Sequence, residues 1–257
     1  MRKFKLLFVL SILIATSCVF ARAAPAMPHS DDEAYAEEYT YITIYPNGYA
    51  PPMNPKQVYL TFDDGPTKHT SKILEILEEH DVLATFFVVG NREHNHYMAD
   101  IVEAGHAIGL HSYDHAFNKI YSSEAAFFDD LQKIDDIVFE QTGVRSKITR
   151  FPGGSSVKRG AARSIMPQLK EGLWARGYQF FDWNCDSRDK MDAKTASLAF
   201  AKIETATKEA DDIVIVLMHD TEKITVEYLP WVIKHFKTLG YDFLPLCTQS
   251  PAVHHNW

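Results

Sequence analysis

Cysteine is scarce in this chain. Three occur in 257 residues, and one of them, Cys18, lies in the apolar N-terminal segment described below. The other two, Cys185 and Cys247, permit one bridge but make no disulfide framework. Two unpaired thiols fit the sequence equally well. Positive charge is short as well: 26 Lys and Arg stand against 34 Asp and Glu, a formal net charge of −8. That balance argues against a nucleic-acid partner and against electrostatic docking on anionic lipid. No apolar run is long enough to span a bilayer, which takes about 20 residues. There is no sequence repeat or low-complexity tract. No Gly-x-Ser-x-Gly nucleophile elbow is present, and no phosphate-binding P-loop.

What the chain does have begins with a leader. Arg2, Lys3 and Lys5 precede the apolar run Leu6–Thr16, and Ala21-Arg22-Ala23 offers a small-x-small cleavage site. This is the pattern of a signal peptide over residues 1–23, so export to the cell envelope or beyond is expected. Ala15-Thr16-Ser17-Cys18 leaves a lipoprotein anchor as the alternative. Residues 24–55 are punctuated by proline and carry an acidic patch, which reads as an extended lead-in. The texture changes after Pro55. The sequence therefore divides into leader, lead-in, one main domain over 56–250 and a C-terminal tail over 251–257.

Within that domain, short runs rich in Val, Ile, Phe and Thr alternate with segments of helical period. Strands are expected at Val58–Phe62, Ala84–Val89, Ala107–Leu110, Ile148–Phe151, Gln179–Trp183, Ile213–Met218 and Asp242–Leu244. Helices are expected at Thr70–Glu79, Ser123–Glu140 (with Ser123 as N-cap), Ala161–Arg176, Thr195–Glu209 and Thr225–Leu239. Repeated strand–helix alternation implies an α/β fold on a parallel sheet. Seven units suit a barrel slightly smaller than the eight-stranded type, with a doubly wound open sheet as the alternative.

Active sites in parallel α/β folds form beyond the carboxyl ends of the strands. Here Asp63-Asp64-Gly65-Pro66 follows the first strand and His111-Ser112-Tyr113-Asp114-His115 the third. Arg150 and Pro152-Gly153-Gly154 flank the fourth, Asp186 follows the fifth, and His219-Asp220 ends the sixth. Each string has an ordinary structural explanation when taken alone; Asp-Asp-Gly-Pro, for instance, is a turn. Together they bring Asp, His, Arg, Asp and His to one rim. Two imidazoles and a carboxylate suit zinc or a similar divalent ion. A bound water would then titrate near about pH 7, a second carboxylate could take its proton, and a histidine could protonate the leaving group. Adjacent Asp63 and Asp64 suit glycoside hydrolysis poorly, because that needs carboxylates roughly 5–9 Å apart across the sugar.

These motifs, in this order, resemble the polysaccharide deacetylases with a NodB-homology domain, carbohydrate esterase family four. The resemblance runs from about Val58 to Leu246 and includes Asp182-Trp183-Asn184-Cys185-Asp186 and Leu217-Met218-His219. It implies a distorted (β/α)7 barrel. It further implies a divalent metal on Asp64, His111 and His115, zinc first, with cobalt, nickel or manganese as alternatives. Asp63 would be the general base, and Arg150 would pair with it and help hold it ionised. His219 would be the general acid, oriented by Asp186. The Gly153 N–H would face the oxyanion, and Trp183 and Leu217 would wall the acetyl pocket. The implied substrate is an acetylated aminosugar polymer, peptidoglycan or a chitin-like chain, with metal-bound water attacking the acetamide carbonyl. An acetylxylan-type O-deacetylase and a non-catalytic glycan-binding domain are the competing readings. Two departures stand out: Gly153 sits where many relatives carry an aromatic, and Arg188 has no inherited role.

Overall fold

Val58, Leu60 and Phe62 alternate with Tyr59, Thr61 and Asp63 along one strand, and this two-residue period decides which side chains reach the site. In the computed structural model of the protein, residues 41–44, 54–90, 93–158, 160–209 and 212–255 are described. The expected leader (1–23), most of the lead-in and the last two residues of the expected tail lie outside them. The described residues belong to one unit, Ala34–Trp257.

Ten strands are described, numbered in chain order. They are β1 (Tyr41–Ile44), β2 (Gln57–Asp63), β3 (Thr85–Val89), β4 (Ala107–Ser112), β5 (Ile148–Thr149), β6 (Gln179–Phe180), β7 (Cys185–Asp186), β8 (Ile213–His219), β9 (Asp242–Phe243) and β10 (Ala252–His255). The main sheet runs β6-β5-β4-β3-β2-β8-β7, with β9 added against β2, and every pairing in it is parallel. Among the described residues seven helices accompany it: α1 (Thr70–Glu79), α2 (Tyr97–Glu103), α3 (Phe117–Ile120), α4 (Glu124–Thr142), α5 (Ala162–Ala175), α6 (Ala196–Glu209) and α7 (Lys223–Thr238). The sheet curls into a distorted α/β barrel, as the strand–helix alternation implied.

Each face of the sheet has its own core. Val58, Leu60 and Phe62 on β2, with Val214, Val216 and Met218 on β8, pack outward against helix residues such as Ile73, Leu77, Leu229 and Phe236. The alternate residues Tyr59, Phe87, Ile148, Ile213, Ile215 and Leu217 form a second cluster inside the barrel. At the carboxyl ends, this inward row continues into Asp63, His111, Arg150 and His219. The catalytic rim is therefore the polar end of an apolar row.

Local signals mark both ends of α4. Ser123 caps α4 by accepting from the Ala126 N–H at 3.1 Å, and Gly143 closes that helix at φ 70°, the left-handed conformation glycine tolerates best. Strands β5 and β6 are shorter than their apolar runs suggested, yet the pairing pattern persists past them: Arg150 N bonds Leu110 O and Phe181 N bonds Thr149 O, both at 3.0 Å. Helices α2 and α3, four to seven residues long, are too short to show a period. The expected tail is the larger difference. Residues 252–255 form β10, antiparallel to β1 in register Tyr41↔His255 to Ile44↔Ala252, and all four are buried. Two histidines in four residues hid that strand, because their polar groups are satisfied by backbone: His254 Nε2 lies 3.0 Å from Phe180 O and His255 Nε2 2.8 Å from Trp183 O.

Gly109 on β4 is required by its neighbours. A Cβ there would lie 2.5 Å from Cδ1 and 2.6 Å from Cε1 of Phe87, and the Phe87 ring backs the Arg150 guanidinium at 4.2 Å. Gly109→Ala should lower the unfolding free energy by about 1–3 kcal/mol, the usual cost of overpacking a filled core. Urea titration reads this directly; an unchanged midpoint would mean that Phe87 moves aside freely.

Candidate active site

The site is built around two consecutive carboxylates at the end of β2. Asp63 continues the inward row, and Asp64 follows with φ 70°, a left-handed conformation that Asp adopts more readily than most residues. Both are buried, at 3% and 2% exposure, so each needs a countercharge. The turn beyond them tolerates no side chain at Gly65, where a Cβ would come 2.5 Å from Asp220 Oδ2. Asp220 is fixed in turn: its N–H donates to Asp63 O at 3.1 Å, and its carboxylate accepts from Thr67 Oγ1 at 2.5 Å and Thr70 Oγ1 at 2.7 Å.

Asp63 has Arg150 as its partner. The guanidinium has no solvent exposure and every hydrogen bond it makes stays inside the protein. Nη1 donates to Asp63 Oδ1 and Thr61 Oγ1, both at 2.7 Å, Nε to Phe181 O at 3.0 Å, and Nη2 to Asp182 O at 3.2 Å. Removing one member of such a buried pair typically costs 3–5 kcal/mol, because the remaining charge is stranded.

Asp64 faces the imidazoles. Its Oδ1 lies 3.5 Å from His111 Nε2 and 3.2 Å from His115 Nε2, and the three ligand atoms fall within 4.8 Å of one another. Two atoms each about 2.1 Å from one ion sit roughly 3.0–3.4 Å apart at ordinary coordination angles, so the spacing fits a divalent cation. The tautomer fits too. His111 Nδ1 donates to Arg150 O at 2.8 Å, which leaves the Nε2 lone pair to ligate. Burial, then the neighbouring His111, lowers the His115 pKa to about 4, keeping that ring neutral and able to coordinate. His115 is held at φ 58° by a relay: its N–H donates to Ser112 Oγ at 2.9 Å, and Ser112 Oγ donates to Asp130 Oδ2 at 2.7 Å.

His219 stands directly across from Asp63, as its register partner between β2 and β8. The sequence expectation paired it with Asp186, and here the structure differs. His219 Nδ1 lies 2.7 Å from Asp189 Oδ1. Asp189 Oδ2 accepts from His219 N, Thr225 Oγ1 and Tyr228 OH at 2.8–2.9 Å. Asp186 instead accepts the Arg188 N–H at 2.7 Å, a local turn that carries the chain through a left-handed Arg188 (φ 59°) and delivers Asp189 to the histidine. Both carboxylates are in the sequence; proximity to the strand end pointed to the wrong one. Burial alone would lower the His219 pKa, but the Asp189 hydrogen bond and charge, with Asp63 and Asp64 nearby, raise it.

The remaining expected residues are distributed as follows. Trp183 and Leu217 are both buried in the apolar cluster inside the barrel. Gly153 is exposed at φ 79°, and the Phe117 ring lies 3.1 Å from where its Cβ would be, so an aromatic side chain stands close to the position that glycine leaves open. Arg188 Nε pairs with Asp192 at 2.9 Å on a partly exposed turn. Neither Cys185 nor Cys247 is in a disulfide. Asp182 had no role assigned. It is fully buried and accepts from Ser155 N (2.7 Å), Ser155 Oγ (2.5 Å) and His255 N (2.8 Å), tying β10 to the Gly153-Gly154 loop.

A distorted α/β barrel with an Asp-His-His donor set and a carboxylate facing a histidine at its carboxyl rim defines a metal-dependent hydrolase. Comparison with known proteins gives the family. A polysaccharide deacetylase profile matches residues 50–168. The chain is 34% identical over 202 residues to a peptidoglycan-N-acetylglucosamine deacetylase of Bacillus cereus, covering 73% of this chain and 68% of that one. The catalytic domain of a peptidoglycan N-acetylglucosamine deacetylase from Eubacterium rectale matches with a TM-score of 0.76 at 37% identity, over 82% of this chain and 98% of that one. A polysaccharide deacetylase from Bacillus cereus matches at 0.65 and 31%, over 74% and 92%. The chain belongs to the polysaccharide deacetylase family, the NodB-homology hydrolases of carbohydrate esterase family four.

The two acidic side chains near His219 can be separated by their pH profiles. A step that needs protonated His219 proceeds below its pKa and fails as pH rises through it. Asp189→Asn removes the charge that raises that pKa, so the alkaline limb of kcat should move to lower pH, with turnover reduced roughly 10²-fold. Asp186→Asn should leave the limb in place. A shift in the Asp186 variant alone would reverse the assignment.

Proposed function

We propose that the protein is exported and removes N-acetyl groups from N-acetylglucosamine residues of peptidoglycan, releasing acetate and leaving a free amine. The observation that carries the reading is that Asp63 and His219, register partners on β2 and β8, end beside the Asp64–His111–His115 donor set. Bound to those three residues, a divalent ion supplies Lewis acidity and an activated water; nitrogen and carboxylate donors favour Zn2+, with Co2+, Ni2+ and Mn2+ as alternatives. Asp63, fixed by Arg150 at 2.7 Å, takes the proton from the attacking water. His219, held by Asp189, gives a proton to the departing amine nitrogen, so the C–N bond breaks with the charges balanced. The Gly153 N–H donates to the oxyanion, and Trp183 and Leu217 receive the acetyl methyl. Relatives named as peptidoglycan N-acetylglucosamine deacetylases support the choice of polymer.

Acetate release by metal-reconstituted protein, compared on peptidoglycan, chitooligosaccharide and acetylxylan, tests the substrate. Peptidoglycan should be turned over fastest; a preference for acetylxylan would make the enzyme an O-deacetylase. Asp63→Asn should keep metal affinity and lower kcat by about 10²–10⁴-fold, whereas His111→Ala should lose bound metal and activity together. Full activity in Asp63→Asn would remove Asp63 from the base role.

A further inference from the structure

Lys190 stands at the rim in a position that neither the family motifs nor the proposed chemistry explains. Its Nζ contacts Asp64 Oδ2, the oxygen opposite the one that faces the two imidazoles. The base of this side chain is fixed. Next to it, Asp189 is held by His219, Thr225 and Tyr228, and Met191 N and Ala193 N both bond Arg188 O, at 2.9 and 3.1 Å. The stem is not fixed: 42% of the Lys190 side chain is exposed, against 3% for that of Asp64. A rigid anchor, a flexible four-carbon stem and a compact charge make a cation that can reach the carboxylate or withdraw into solvent.

The charge pattern gives that reach a purpose. Asp63 has a permanent countercharge in Arg150. Asp64 is equally buried; its Oδ1 faces two imidazoles, and its Oδ2 meets the Lys190 ammonium. A buried carboxylate is costly without a cation beside it.

We propose that Lys190 is a tethered counter-ion for the metal seat: its ammonium neutralises Asp64 through Oδ2 in the metal-free protein, and an ion seated on Oδ1 between the imidazoles must take over that carboxylate against the ammonium's charge. The inference rests on the metal reading of Asp64, His111 and His115. Lys190 then weakens metal affinity, because its charge shares Asp64 with the ion and repels it, whether the ammonium stays on Oδ2 or withdraws only as far as the rim. In return, the metal-free site keeps its carboxylate ionised and placed.

The test is metal affinity measured without substrate. The full chain is stripped with a chelator and titrated with Co2+, following the visible absorption of the bound ion and competition with a chelating dye. Lys190→Met should bind Co2+ about tenfold more tightly than the native protein, a change of roughly 1.4 kcal/mol. Lys190→Gln serves as a second variant with a polar side chain and should shift in the same direction. Lys202→Met removes another cation of this region, one that lies 3.9 Å from Asp192, and should leave the affinity unchanged. Equal or weaker binding in both Lys190 variants overturns the inference, and so does an equal gain in Lys202→Met, which would reduce the effect to net charge. Failure of the native protein to bind Co2+ would instead take down the metal reading on which the inference stands.

Discussion

Two neighbouring carboxylates, both withdrawn from water, set the terms for this molecule. Left alone, Asp63 and Asp64 would repel each other and lose their hydration, so the fold must bring positive charge to each. For Asp63 that charge is built in. Arg150 is wholly buried and gives every donor it uses to a protein acceptor, drawn from β2, from the Phe181-Asp182 segment and from Asp63 itself. For Asp64 the neighbours are two imidazoles at Oδ1 and the Lys190 ammonium at Oδ2, and the Asp-His-His donor set suits a divalent ion. In the proposed chemistry one carboxylate serves as proton acceptor and the other as ligand, although they are adjacent in sequence. The backbone makes the division by flipping to a left-handed φ at Asp64.

The rest of the architecture holds those charges in place. Parallel pairing puts the carboxyl ends of β2, β3, β4, β5 and β8 on one rim, and the two-residue side-chain period sends Asp63, His111 and His219 to its inner edge. Behind them stands a layer of positioning groups. Asp130 works through Ser112 on the His115 turn, and Asp189, backed by Thr225 and Tyr228, aligns His219. Asp182 clamps the Ser155 loop to β10. Burial alone would raise the Asp182 pKa, yet the adjacent His255 and His254 and the donors it accepts bring it below the ordinary value, which suits an acceptor of three hydrogen bonds. The C-terminal strand is thus part of the site's framework.

Much of this was legible in the sequence, for physical reasons that differ by residue. Thr70–Glu79 was readable as a helix because its apolar residues fall on one face, and Ser123 was readable as a cap because a hydroxyl before a helix satisfies an orphan N–H. The rim residues could be grouped because each follows a strand end, and the structure does bring Asp63, Asp64, His111, His115, Arg150 and His219 together. Choosing Asp189 over Asp186 was beyond the sequence, since the choice depends on a left-handed turn at Arg188 that only its backbone reveals. β10 was hidden because its pairing partner lies more than two hundred residues away at β1. Lys190 gave no signal at all, because a lysine in a polar loop looks solvated until its reach is known.

The central claim is that a single divalent cation completes the charge balance that Arg150 begins. Anomalous diffraction from crystals of the metal-loaded protein, collected at the absorption edge of the bound metal, tests it most directly. A single peak bonded to Asp64, His111 Nε2 and His115 Nε2, with bonds of about 2.0–2.2 Å and Asp63 still paired to Arg150, is the predicted result. A peak elsewhere, or one that draws Asp63 away from Arg150 to serve as a ligand, would contradict the account.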